Sequence, residues 1–188
     1  MGQSLVANLK ENGIEFVHTT RKCVGFHGTH RNAAESILKN GFDLDRSDSK
    51  SWLGHGIYFF DNTPHAGYEA AMCFAAHGPH EHLQPAVIEA DLSFALLLDL
   101  TDDKNGPTFW ELFRLMRRVP GYESLVNERF VAHLIGTKIA QEMGSDGVGY
   151  RFPMCEPPAR RQRGSKTQNG YAAKTVAAIG RPRMRRSK

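Results

Sequence analysis

Residues 24–60 read VGFHGTHRNAAESILKNGFDLDRSDSKSWLGHGIYFF. Val24-Gly25-Phe26 is a short apolar run that reads as a strand delivering His27-Gly28-Thr29 into a turn. Asn32 is placed to cap a helix carrying Ala34, Ile37 and Leu38 on one face, and Gly41 is a natural stop for it. Asp45 to Ser51 is polar loop, and Gly56 to Phe60 is a second apolar strand. Strand, helix, loop and strand thus follow within 37 residues.

Outward from this stretch the same alternation continues. Ser4 to Leu9 reads as a short helix ended at Asn12-Gly13. Thr63-Pro64 opens an alanine-rich helix reaching His77, with Asp61 and Asn62 as its cap. Ala86 to Leu92 alternates like a strand with one better-buried face, and Leu96 to Leu100 reads as another. Pro107 opens a helix with Trp110, Phe113, Leu115 and Met116. Leu125 to Met143 is the longest helical pattern, with Phe130, Val131, Leu134, Ile135 and Ile139 in one stripe. Val148 to Phe152 and Thr175 to Ile179 read as late strands. Strands and helices are interspersed without regular βαβ winding, which predicts a mixed α+β fold.

The chain of 188 residues, 40% hydrophobic and 23% charged, fits one domain, residues 1–188. The longest apolar run, Ala70 to Ala76, is far short of the roughly 20 residues of a membrane helix. Met1 to Leu9 lacks the basic flank and apolar core of a secretory signal. The three cysteines, Cys23, Cys73 and Cys155, form no disulfide framework. The expectation is a cytoplasmic domain without membrane contact. Residues 151–188 hold 11 Lys or Arg against one acid, Glu156, leaving 13 basic and 19 acidic side chains in residues 1–150. Such a basic C-terminal segment is drawn to a polyanion or is simply solvated; counterion release favours the former at low salt.

Two segments concentrate the chemistry: Phe26-His27-Gly28-Thr29 and Gly54-His55-Gly56-Ile57-Tyr58-Phe59-Phe60. Glycine lets a ligand approach the backbone, whose amide and carbonyl can bond a planar carboxamide. Histidine can bond a ribose hydroxyl, and a tyrosine face can stack on a heteroaromatic ring. Read singly, each segment is an ordinary turn or core strand; their order and the 31 positions from His27 to Tyr58 point to a nucleotide site. Cys73, His77, His80 and His82 are dense, but their spacing matches no closed zinc site, and no metal is expected.

The Phe-His-Gly-Thr segment, then Ala34, Ile37, Leu38, Gly41 and Phe42, then Trp52-Leu53-Gly54-x-Gly56-Ile57-Tyr58-Phe59 resemble the diphtheria-toxin-like and poly(ADP-ribose)-polymerase-like ADP-ribosyltransferases, small bacterial members above all. The resemblance implies a mainly antiparallel split β-sheet with flanking helices and NAD as the substrate. It implies that His27 bonds the adenosine-side ribose, that Gly28 and Thr29 meet the nicotinamide end, and that Gly56 and Tyr58 form the second motif. Tyr68 falls where a helical aromatic stacks on nicotinamide. The third motif, Glu or Gln on a late strand, has no counterpart in Lys174 to Ile179, where pattern puts it near Ala177; Glu156 and Gln168 are the remaining candidates, with Glu156 expected as the third catalytic group beside His27 and Tyr58. The implied activity is transfer of ADP-ribose to a macromolecule, with RNA or DNA slightly favoured over protein on the basic segment. NAD hydrolysis, or a binding module without catalysis, are the alternatives. Small members of the family are often toxins or phage-defence effectors, which implies an antitoxin as a partner.

Overall fold

The computed structural model describes residues 4–62, 67–77, 83–121, 123–153 and 167–185. Six helices and six strands follow one another along the described residues, alternating up to β3: α1 (Leu5–Glu11), β1 (Thr19–His30), α2 (Arg31–Asn40), β2 (Ile57–Phe60), α3 (Gly67–His77), β3 (Pro85–Asp99), α4 (Asn105–Arg117), α5 (Glu128–Leu134), α6 (Ala140–Glu142), β4 (Gly147–Pro153), β5 (Thr167–Ala173) and β6 (Arg183–Met184). The architecture is mixed α+β. Strand order is β1-β2-β5-β4-β3-β6, and β3 also pairs with β1, so five strands close into a barrel-like ring. The β3–β4 pair is parallel and the other pairings are antiparallel.

Several elements differ from their sequence reading. The strand expected at Val24–Phe26 runs from Thr19 to His30, and the two strands expected over 86–92 and 96–100 are one, β3. Because β1 stays extended to His30, the cap of α2 is His30 rather than Asn32: its Nδ1 accepts the Ala33 N–H at 3.3 Å. Gly41 ends that helix as expected, at φ 82°. The helical stripe at 125–143 starts later, capped by Asn127, and its middle, Ile135–Ile139, is wound as a π-helix between α5 and α6. Pro64 lies outside the described residues. Asn62 does accept the Gly67 N–H at 2.9 Å, but Asp61 turns inward, where Arg21 and the Tyr171 hydroxyl bond it at 3.1 and 3.0 Å.

The largest correction concerns the late strand. Thr175–Ile179 is a short 3-10 turn, Val176–Ala178, with an isolated bridge from Ile179 to Leu92. The strand that completes the ring is Thr167–Ala173, between β2 and β4.

One face of the ring packs Ile57, Phe59, Ile88, Leu92, Phe94 and Tyr171 together. The other, with Val148, Tyr150, Phe152 and Ala172, is covered by Phe109, Leu112, Val131, Ile135 and Ile139 of the helices. Helix α3 lies over Phe26 and Val87. Among the described residues no helix is long and apolar enough to cross a membrane.

Candidate functional site

Strands β1 and β2 are neighbours that barely touch: among the described residues their one registered pair is Phe26 with Phe60. On its other edge β1 makes eleven registered pairs with β3. Beyond Phe26 the two strands diverge and open a cleft of about 1190 Å³, lined by β1, β2, α2 and the loop between α2 and β2. That volume lies somewhat above the roughly 300–1,000 Å³ typical of small-molecule sites.

The direction of the β1 backbone in this gap follows from the ladder. Arg31 N–H donates to Gln84 O at 2.9 Å, and Arg185 N–H donates to Val87 O at 3.0 Å. Bonds to β3 therefore come from His27 and Thr29, while Val87, opposite Gly28, is turned to β6. Gly28 turns its N–H and C=O away from β3, toward the edge that β2 has vacated. By the same alternation Asp61 N–H donates to Asn169 O at 3.2 Å, so Tyr58 faces its backbone into the gap from the other side.

His27 spans the wedge. Its Nδ1 lies 2.9 Å from the Tyr58 carbonyl. A carbonyl only accepts, so Nδ1 carries the proton, and in the neutral ring Nε2 is the acceptor. The imidazole packs against Phe42 and Phe59, with centroids 5.4 and 5.8 Å away. Desolvation holds its pKa below the ordinary 6.5, against the opposing pull of the Tyr58 carbonyl. His27 is thus a neutral, oriented acceptor at neutral pH.

The missing side chain of Gly28 has a packing cause. A Cβ there would lie 2.1 Å from the Ala71 carbonyl of α3. The glycine lets a helix seat on the strand, while its backbone edge is what faces the cleft. Thr29 and Gly56 line the same cleft, and Gly56 N–H donates to Ser47 Oγ at 3.2 Å.

Tyr58 lines the cleft with its ring, but its hydroxyl is committed elsewhere. It donates to Gly54 O and accepts from Leu53 N–H, both at 2.8 Å. Burial raises its pKa above the ordinary value. The hydroxyl holds the loop before β2. Three further groups hold that loop: His133 Nδ1–H donates to Ser51 O at 2.9 Å, Lys174 Nζ donates to the carbonyls of Leu53 and His55, and Gly136 of the π-helix lies against Leu53 so closely that a Cβ would be 2.4 Å from its carbonyl. Burial, with no carboxylate partner among the described residues, brings the Lys174 pKa down to about 8.

Tyr68 is not among the residues lining the cleft. It packs edge-on against Phe26, centroids 6.4 Å apart, with a buried hydroxyl that has no partner among the described residues. Glu156 lies outside the described residues, as do His80 and His82; among the described residues no three His, Cys, Asp or Glu side chains converge as a metal site. Ala177 sits in the 3-10 turn and belongs to no strand. Gln168, read from sequence as part of a polar loop, lies on β5, in register with Phe152 of β4. A carboxamide residue is therefore present on the late strand after all.

The basic segment is partly accounted for. Arg183 of β6 pairs with Glu89 and Asp91 at 3.1 Å each, and Arg185 pairs with Glu89 at 3.3 Å. These two charges are paired with β3 acids while remaining exposed.

Sequence reasoning missed Phe74, Phe152 and Arg129 as cleft residues and Lys174 as a loop support. Phe74 had a visible signal, being a lone phenylalanine in the run Ala70 to Ala76. The others depend on contacts between distant segments. No protein-family model and no curated protein matches the chain.

Proposed function

We propose that this protein binds NAD in the cleft between β1 and β2 and transfers its ADP-ribose to a macromolecular acceptor, and that the ring is the ADP-ribosyltransferase arrangement with its split at the divergence of these strands. The observation that carries the reading is the Gly28 backbone edge beside the pinned His27 imidazole. A carboxamide offers one N–H and one C=O in a plane, the complement of a backbone C=O and N–H on one residue. The nicotinamide amide pairs with Gly28, and a ribose hydroxyl donates to His27 Nε2. In this reading Gln168, on the strand beside β2, is the counterpart of the third-motif residue.

The reaction breaks the bond between the ribose C1 and the nicotinamide nitrogen, with the electron pair leaving on nicotinamide. An acceptor lone pair then bonds C1, and the acceptor gives up one proton. Positive charge develops on the ribose, so fixing both ends of the dinucleotide orients the bond that breaks. Burial holds the His27 pKa below its ordinary value, so the ring is neutral at neutral pH and keeps its acceptor role there.

The test is incubation with labelled NAD, measuring nicotinamide release and label in macromolecules. Wild-type protein releases nicotinamide and labels an acceptor; His27→Ala does neither while remaining folded. Full labelling by His27→Ala overturns the site. Free ADP-ribose equal to the nicotinamide released identifies hydrolysis instead of transfer.

A further inference from the structure

At one side of the cleft, planar side chains form an unbroken row. Phe74 of α3 lies 6.4 Å from Phe60, Phe60 lies 6.3 Å from Phe152, and Phe152 lies 6.1 Å from Trp52. The Arg129 guanidinium of α5 then sits over the Trp52 ring, 5.6 Å from its centroid. All five line the cleft. Phe74 is 46% exposed, an unusual state for a phenylalanine on a helix that otherwise packs against the ring. Arg129 is exposed and has no carboxylate partner among the described residues; its one bond is a long one, 3.5 Å, to the Lys50 carbonyl. The carboxylates that line the cleft are Asp43, Asp45 and Asp48 of the loop after α2, and none belongs to the row. Asp43 already pairs with Arg46 at 3.3 Å.

We propose that the exposed ends of this row, Phe74 and Arg129, are the contacts of a platform for single-stranded nucleic acid, with the buried Phe152 between them as packing, and that a single strand is the acceptor of the ADP-ribose. Every base has a π face, so exposed phenyl and guanidinium planes bind unpaired bases without sequence preference, and the guanidinium also meets a phosphate. A duplex keeps its bases stacked on each other and has none to offer. The binding half of this proposal stands without the NAD reading; naming the strand as acceptor rests on it.

The experiment is fluorescence anisotropy of the full chain, without NAD, against dye-labelled 20-nucleotide single strands of mixed-sequence RNA and DNA and against the same DNA as a duplex. Single strands bind at least tenfold more tightly than the duplex. Phe74→Leu, which keeps an apolar contact with Phe60 but removes the flat face, weakens binding about tenfold, within the range of one lost stacking contact. Arg129→Gln weakens it as well and lowers the slope of log affinity against log salt by about 1. Unchanged melting midpoints confirm that both variants are folded. Wild-type affinity in both variants, equal affinity for the duplex, or displacement of the strand by saturating NAD overturns the platform. Single-strand binding with no nicotinamide release on any acceptor removes the NAD reading and leaves the platform standing; nicotinamide release with labelled protein and no strand binding does the reverse.

Discussion

Replacing Tyr58 by Phe removes one oxygen from the cleft wall and leaves two groups without a partner. The Leu53 N–H and the Gly54 carbonyl each bond that hydroxyl at 2.8 Å, and both residues are buried. Stranding a buried donor or acceptor costs roughly 1–3 kcal/mol, so Tyr58→Phe should lower stability by about 2 kcal/mol. With a urea dependence of about 2 kcal/mol per molar, the unfolding midpoint falls by about 1 M at unchanged slope. The assay is equilibrium urea unfolding followed by circular dichroism, run beside nicotinamide release. A structural hydroxyl gives a lower midpoint with turnover largely kept at low temperature, where the loop stays folded. An unchanged midpoint together with collapsed turnover would refute the loop-holding role and assign the hydroxyl to the substrate.

Gly28→Ala should be poorly tolerated, because its Cβ meets backbone of α3 at 2.1 Å; a loss of about 3 kcal/mol or more, or no soluble protein, is expected. Gly41→Ala, in open space at φ 82°, should cost only about 1 kcal/mol by the same urea measurement. Lys174 has a folded pKa of about 8 against 10.5 when unfolded, so between these values the unfolded state binds more protons and stability rises with pH. Wild type should therefore gain on Lys174→Met between pH 8 and 10.5; a constant gap in unfolding midpoints over that range would contradict the assignment. Arg183→Gln with Arg185→Gln leaves Glu89 without its cations and should lower the melting midpoint, by less as salt is added; equal midpoints at low salt would show these pairs to be ornamental.

The strand β2 was legible because Ile57 to Phe60 is an uninterrupted apolar run on which both faces of the ring pack. Only the end of β1 was, because Thr19 to Cys23 places Arg21 and Cys23 beside buried Asp61 and Tyr171, where polar residues belong to an internal ion pair rather than to a solvent face. Strand β5 was missed for a physical reason. Gly170 is crowded, since a Cβ on it would lie 2.6 Å from Phe59 O, and Ala172 and Ala173 are fully buried. Small residues carry little strand signal. The β-branched residues that attracted the strand reading instead, Thr175 and Val176, are exposed in the turn that follows. That His27, Gly28 and Gly56 share one cleft was legible from the order of their two segments. The cleft's second half was not, since Phe74, Phe152 and Arg129 come from three elements brought together only by the closed ring.

That β2 shares one registered pair with β1 and four with β5 also bears on the order of folding. Its main neighbour lies more than a hundred residues further along the chain, and such distant pairings form late. During synthesis β1 and β3 can pair as soon as residue 99 has emerged, while β2 waits without its principal partner until residue 173 has left the ribosome. One wall of the cleft is therefore assembled last, and a nascent or C-terminally truncated chain holds the His27–Gly28 edge without the strand that faces it.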